Sequence, residues 1–317
     1  MTGQIARLIL ARLGIAVITL LIVSVVVFAA TQLLPGDVVE ILLGQAATPE
    51  AVAGLREAMN LNDPAIVRYV KWLAGLIQGD LGTSYANNMD VWELIDSRLA
   101  NTLRLAGITT AIAVPFSLTL GILAAVYQGS LIDRIVTTSI ISIVSITEFM
   151  IAATAMLIFS VWLKWLPSIS FVDDAVGISG QLKAYAMPVM TLLVVVSAQM
   201  IRMTRAAVIE ALKMPYVEMA LLKGASRSRM VIHHALPNSV GPIANAMALS
   251  LSYLLGGAII VETVFSYPGI AKVMVDAVAT RDLPLIQSCA MIFCFGYLFL
   301  ITCADVIAIV ANPRLRK

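Results

Sequence analysis

Arg202 to Pro242 reads R-M-T-R-A-A-V-I-E-A-L-K-M-P-Y-V-E-M-A-L-L-K-G-A-S-R-S-R-M-V-I-H-H-A-L-P-N-S-V-G-P. It is the most polar and most basic stretch in a chain otherwise built of apolar spans. Ala206 to Lys213 holds good helix formers and β-branched residues. Pro215 suits the first turn of a new helix, where its missing N–H costs nothing. Tyr216 to Lys223 makes two turns, and Gly224 falls where a left-handed cap would sit. Ser226 can cap the next piece, which carries Arg227 and Arg229. Pro237 lies at the start of the following apolar span. The stretch therefore predicts helix, sharp turn, helix, sharp turn, helix, on the basic side of a membrane. That shape suits a docking surface for a partner protein.

The rest of the chain fits a membrane setting. Of 317 residues, 60% are hydrophobic and 13% charged, and the mean hydropathy is +0.94. Globular chains average roughly 45–50% apolar and about 25% charged. A net charge of +2 gives no electrostatic reason to expect a nucleic-acid partner. Cys289, Cys294 and Cys303 all lie in the last apolar span, an odd number with no ligand spacing, and read as small packing residues.

A helix needs about 20 apolar residues to cross a bilayer. Leu13 to Leu34 carries no charge, follows Arg7 and Arg12, and ends at Pro35-Gly36-Asp37. It is longer than a signal-peptide core and lacks a clear cleavage site, so it reads as a retained anchor. Further spans follow at about 102–127, 135–162, 185–201, 239–261 and 285–310. The expected fold is all-α: six transmembrane helices in one membrane domain. Its parts are a first membrane helix (1–35), a helical insertion (36–99), a five-helix core (100–310) that carries the loop 202–238, and a tail (311–317). Within the insertion, Thr48-Pro49-Glu50 reads as a helix start and Asp63-Pro64 begins a second amphipathic helix. Asp90 is placed to cap a third short helix.

Lys and Arg placement sets the orientation. Arg7 and Arg12, Arg134, the six cations of the 202–238 loop, and Arg314, Arg316 and Lys317 fall on one side after six crossings, which is then cytoplasmic. The 36–99 segment, with nine Asp or Glu against four Lys or Arg, falls on the other.

The chain offers little catalytic chemistry. It has no Gly-Lys dipeptide and so no Walker-type phosphate loop. His233 and His234 are adjacent and point to different helix faces, so they make no metal pair. There is no nucleophile elbow and no Cys/His set. Glu148 is the one carboxylate near the middle of a span. Such a group faces a bundle interior or watery cavity, either as a pathway residue or as glue through Ser145 or Thr147. Beyond span five, Val261 to Gly269 sets Phe265 and Tyr267 around a Pro-Gly break. It reads as a folded-back lid over the outer mouth or as an interfacial aromatic belt. The pathway or gate candidates are thus Glu148, Phe149, Glu262, Phe265 and Tyr267.

Glu218-x-Ala220-x3-Gly224, followed by Leu236-Pro237, resembles the cytoplasmic "EAA" loop of ATP-binding-cassette importer permeases. The L-L-P-G-D run ending at Asp37 resembles the dipeptide/oligopeptide/nickel branch. So do Gly79-Asp80-Leu81-Gly82-x-Ser84, Asn101-Thr102-Leu103, the Val261–Gly269 string, Arg281-Asp282-Leu283-Pro284-Leu285 and Asn312-Pro313-Arg314. The resemblance implies a second homologous permease, two ATPase subunits that hydrolyse ATP with Mg, and a binding protein delivering a peptide or similar solute. It implies no cofactor or metal on this chain, and the bacterial or archaeal inner membrane as its place. It also implies that Tyr216, Val217, Glu218, Ala220, Leu221, Gly224 and Ala225 couple to an ATPase, with Val217, Ala220 and Leu221 filling its groove. Thr147-Glu148 stands where this branch often has a proline and a small residue, which points to cargo preference. The rival reading is a secondary transporter driven by an ion gradient through Glu148.

Overall fold

Every long element of the chain follows from one constraint: in lipid a helix is the open-ended structure that satisfies its own backbone. A computed structural model describes residues 2–33, 36, 38–172, 177–222, 224 and 229–311. Among them there is no β-strand, only an isolated antiparallel bridge between Thr83 and Asp90. The helices are α1 Thr2–Gln32, α2 Val38–Leu43, α3 Pro49–Ala58, α4 Ala65–Gln78, α5 Val91–Val126, α6 Leu131–Val144, α7 Glu148–Ala155, α8 Gly177–Leu212 and α9 Pro215–Leu222. They continue with α10 Leu236–Val264, α11 Ile270–Thr280 and α12 Leu283–Ala311.

Among the described residues five helices are long and apolar enough to cross a membrane, and six spans result when the bent pair of α6 and Glu148–Trp162 is counted as one. That pair corrects one expectation. The third span is not a straight rod over 135–162. It turns by 99° between α6 and the segment Glu148–Trp162. Ser145 Oγ donates to the Ile141 carbonyl at 2.8 Å, a back-bond that favours bending, and Thr147 is extended, at ψ 148°. Two further boundaries differ. The short helix expected at Asp90 is the first part of the 36-residue α5; Asp90 does cap it, accepting the Trp92 amide at 2.7 Å. The fourth span does not end at Ile201. Nothing between Ile201 and Ala206 breaks a helix, and α8 runs unbroken to Leu212.

The chain forms two units. One comprises Met1–Ile15, Arg104–Tyr267 and Gly296–Lys317. In it α8 is the central helix, packed mainly on α10 and also on α6 and α7. Its core includes Leu105, Met187, Leu192, Val261, Phe265 and Tyr267. Small residues allow close helix approach, as is usual in bilayers. A Cβ on Gly121 would lie 2.8 Å from the Thr204 Cβ and 3.1 Å from the Ile201 carbonyl. Asp133 and Arg205 are paired here through Nε–Oδ1 (2.6 Å) and Nη2–Oδ2 (2.9 Å), a bidentate fork.

The other unit comprises Ala16–Leu103 and Pro268–Phe295. Val91, Ile95, Ile270, Ala277, Leu285, Ile286 and Cys289 form its core. Thr48 accepts the Ala51 amide at the start of α3, and Gly79, in left-handed conformation at φ 84°, closes α4. Asp63 does not cap α4; it pairs with Lys71 at 2.7 Å. Thr102 Oγ1 accepts the Ile270 amide at 2.9 Å and so caps α11 from α5. Asp282 accepts from the Ser84 hydroxyl and from the Tyr85 amide at 3.1 Å.

Candidate functional site

The candidate docking segment begins where α8 stops. Its last turn tightens, with Lys213 N donating to the Glu210 carbonyl and Met214 N to the Ala211 carbonyl, both at 3.2 Å. Pro215 opens α9, which runs eight residues to Leu222. Gly224 follows at φ +82°. A helical segment from Met230 to Ala235, widened to i→i+5 bonding, then leads into α10. Pro237 cannot donate to the His233 carbonyl four residues back, and local widening absorbs that loss.

An isolated eight-residue helix is not stable in water, so α9 needs an anchor. Val217 and Ala220 provide it. Both are buried against Met230, with Leu212 packed on the same cluster. Each large apolar side chain so buried contributes about 1.5–3 kcal/mol. This corrects the expectation that Val217 and Ala220 fill a partner's groove: they face the chain itself. Among the described side chains of α9, the apolar ones left in the open are Tyr216 (42% exposed), Met219 (55%) and Leu222 (76%). Spacings of three place these on one face of α9. Met219 and Leu222 were not picked out in the sequence because spacing alone does not say which face of so short a helix points inward. Glu218 and Leu221 lie on α9, but their side chains, and Ala225, Ser226, Arg227 and the Asn312-Pro313-Arg314 tail, lie outside the described residues.

The pathway candidates separate into two places. Glu148 opens α7 just after the break in the third span and is half-buried. Its carboxylate lies over Gly257 of α10, so close that a Cβ there would sit 3.0 Å from Oε2. The Ser145 hydroxyl donates to the Ile141 carbonyl of its own helix. Phe149 is largely exposed (57%).

Glu262, Phe265 and Tyr267 are all fully buried. An interfacial belt would leave the two rings open, so that reading fails. The C-terminus of α10 explains their burial. Ser266 takes φ +48°, and the Tyr267 amide donates back to the Glu262 carbonyl at 2.9 Å while Ser266 N reaches Thr263. This double closure folds the chain under the helix end. Phe265 O accepts the Ser170 amide at 2.9 Å. The Tyr267 ring lies 5.9 Å from that of Tyr185. Burial pushes the Tyr267 phenol well above its usual range, a hydrogen bond with Tyr185 and the nearby Glu262 charge add to this, and Arg104 opposes it. Arg104 and Tyr185 were invisible as partners in the sequence, being distant along it.

No cluster of three or more His, Cys, Asp or Glu among the described residues could hold a metal ion. The three cysteines are free thiols.

Most of the chain matches known proteins. Residues 117–317 match the family model described as binding-protein-dependent transport system inner membrane component. Residues 5–106 match the N-terminal model of the same kind of component. A probable peptide ABC transporter permease protein, y4tP, of Sinorhizobium fredii is 32% identical over 308 residues, covering 97% of this chain and 98% of its own. The glutathione transport system permease protein GsiC of Salmonella paratyphi A is 35% identical, covering 94% of this chain and 95% of its own. A putative peptide transport system permease protein of Brucella abortus is 31% identical over 98% of both chains. The chain therefore belongs to the inner-membrane permease components of binding-protein-dependent ABC transport systems.

Proposed function

We propose that this permease forms half of the translocation pathway of an importer for peptides or small peptide-like solutes. The named cargoes of its relatives, peptides and glutathione, support that class. A second homologous permease supplies the other half. Two ATPase subunits bind and hydrolyse ATP with Mg on the cytoplasmic side, where both termini of this chain also lie, and a binding protein delivers cargo outside. This chain contributes no catalytic group.

The observation that carries the reading is α9. It is a short helix anchored by Val217 and Ala220, offering Tyr216, Met219 and Leu222 outward, and closed by a left-handed Gly224. A helix held this way moves as a rigid body with α8 and α10. A push from the ATPases thus reaches the spans and switches the cavity from one side to the other. Glu148, at the break of the third span, and the buried Glu262–Tyr267 turn act on cargo passage. The ion-gradient alternative gains nothing from family membership. Reconstitution in sealed vesicles tests the choice: uptake should need ATP and binding protein and persist without any ion gradient. Uptake driven by a gradient with no ATP would overturn it.

A further inference from the structure

The unit that contains α3 and α4 holds an open cleft of about 460 Å³, which the transport reading leaves unused. Small-molecule sites commonly span roughly 300–1,000 Å³. Arg68, Lys71 and Trp72 of α4, Gln32 at the end of α1, and Tyr85 of the loop before α5 all line it.

Its charges are unequally engaged. Lys71 Nζ lies 2.7 Å from Asp63. Asp80 accepts the Gly82 amide at 2.8 Å. Asp282, nearby, accepts from Ser84, Tyr85 and Ala86. Arg68 has no such acid. Its Nη2 donates to the neutral Gln32 amide oxygen at 2.6 Å, and no carboxylate among the described residues pairs with it. Arg68 Nε and the Trp72 indole Nε1 are both shut away from solvent without an acceptor. Buried donors are almost always satisfied, so these two leave hydrogen-bonding capacity unused on one helix beside the cavity. The Phe28 and Trp72 rings, 5.9 Å apart, add an apolar wall.

We propose that this cavity binds a small oxyanion, a carboxylate or phosphate on a partly apolar body, held by the Arg68 guanidinium and the Trp72 indole N–H. Small rotations of the two side chains bring the orphan donors onto the ligand. The guanidinium fork matches an oxyanion's paired oxygens. Tyr85 supports this as a further donor, since burial raises its phenol above the usual range against the opposing pull of Arg68. Asp282 holds the Tyr85 loop in place, so the wall is preformed. The oxyanion can come from a soluble carboxylate or phosphate, or from a phospholipid headgroup at the end of the first span. The site uses residues of one unit only and stands whether or not the transport reading does.

The test uses the full-length chain in nanodiscs. Trialanine, trialanine amide and inorganic phosphate are titrated by calorimetry, and retained phosphatidylglycerol is counted by native mass spectrometry. Expected is saturable binding of trialanine or phosphate but not the amide, or stoichiometric retention of the lipid. Arg68→Gln should weaken the solute at least about tenfold or release the lipid. Arg68→Lys, which keeps the charge but not the fork, and Trp72→Phe, which keeps the ring but not the N–H, should each weaken binding several-fold and decide the matter if the Gln variant does not fold. Absence of saturable solute binding together with no retained lipid overturns the site. So does wild-type affinity in these variants.

Discussion

Gly224 shows how much one residue settles. At φ +82° it occupies the left-handed region, and a Cβ there would meet nothing within 4 Å. Only backbone strain therefore opposes substitution. Gly224→Ala should cost about 1 kcal/mol locally and leave most transport intact. Gly224→Pro, which cannot adopt this φ, should uncouple ATP hydrolysis from uptake while membrane insertion, read by protease protection, stays normal. Normal uptake in the Pro variant would mean α9 does not couple. Gly257 and Gly256 form a second pair of tests. A methyl on Gly257 meets the Glu148 carboxylate, whereas one on Gly256 meets nothing. Gly257→Ala and Glu148→Gln should both alter uptake of charged cargo, with Gly256→Ala as the unaffected control. Equal kinetics for all three across several cargoes would return Glu148 to a packing role. Gly224 could be read from sequence because glycine is the default for that conformation. Ser266 and Arg281 do the same job at φ +48° and +59°. They could not be read, because their conformation is imposed by the helices around them.

Between elements, the important contacts join residues far apart in sequence. Asp133 on α6 and Arg205 on α8 form a partly buried fork, and Asp133 also accepts the Gly129 amide at 2.9 Å. Arg205→Ala strands that carboxylate and should cost about 2 kcal/mol or more, lowering the thermal midpoint by several degrees in detergent. An unchanged midpoint would show the pair to be idle. Gly121→Ala should do comparable damage by forcing α5 off Thr204. Gly107→Ala on the same helix faces open space and should be silent. The motifs Gly79–Ser84 and Arg281–Leu285 stood apart in the sequence, yet Ser84 donates to Asp282. Asp282→Ala removes the acceptor for the Tyr85 and Ala86 amides, so their hydrogen exchange should quicken; unaltered exchange would refute the clip. Apolar length made the spans legible. The 99° break in the third did not announce itself, because Ser145 and Thr147 are ordinary residues in a membrane helix.

For the whole molecule, the order of the apolar helices and the short helix α9 between two of them were legible, because lipid demands long apolar helices and Pro215 and Gly224 punctuate the stretch between. Which face of α9 looks outward was not, since tertiary packing on Met230 and Leu212 decides it. That face is the point at which a separate ATPase must grip if this permease is driven by ATP. The most direct measurement places a cysteine at Leu222 in a chain whose Cys289, Cys294 and Cys303 are replaced by serine or alanine. Membrane-impermeant thiol reagents and disulfide cross-linking are then applied in oriented vesicles. The account predicts labelling from the cytoplasmic side only, a cross-link to an ATPase subunit, and loss of ATP-driven uptake when the link forms. Labelling from the outer side, or a Leu222→Cys chain that transports normally while no ATPase can be linked to it, would contradict it.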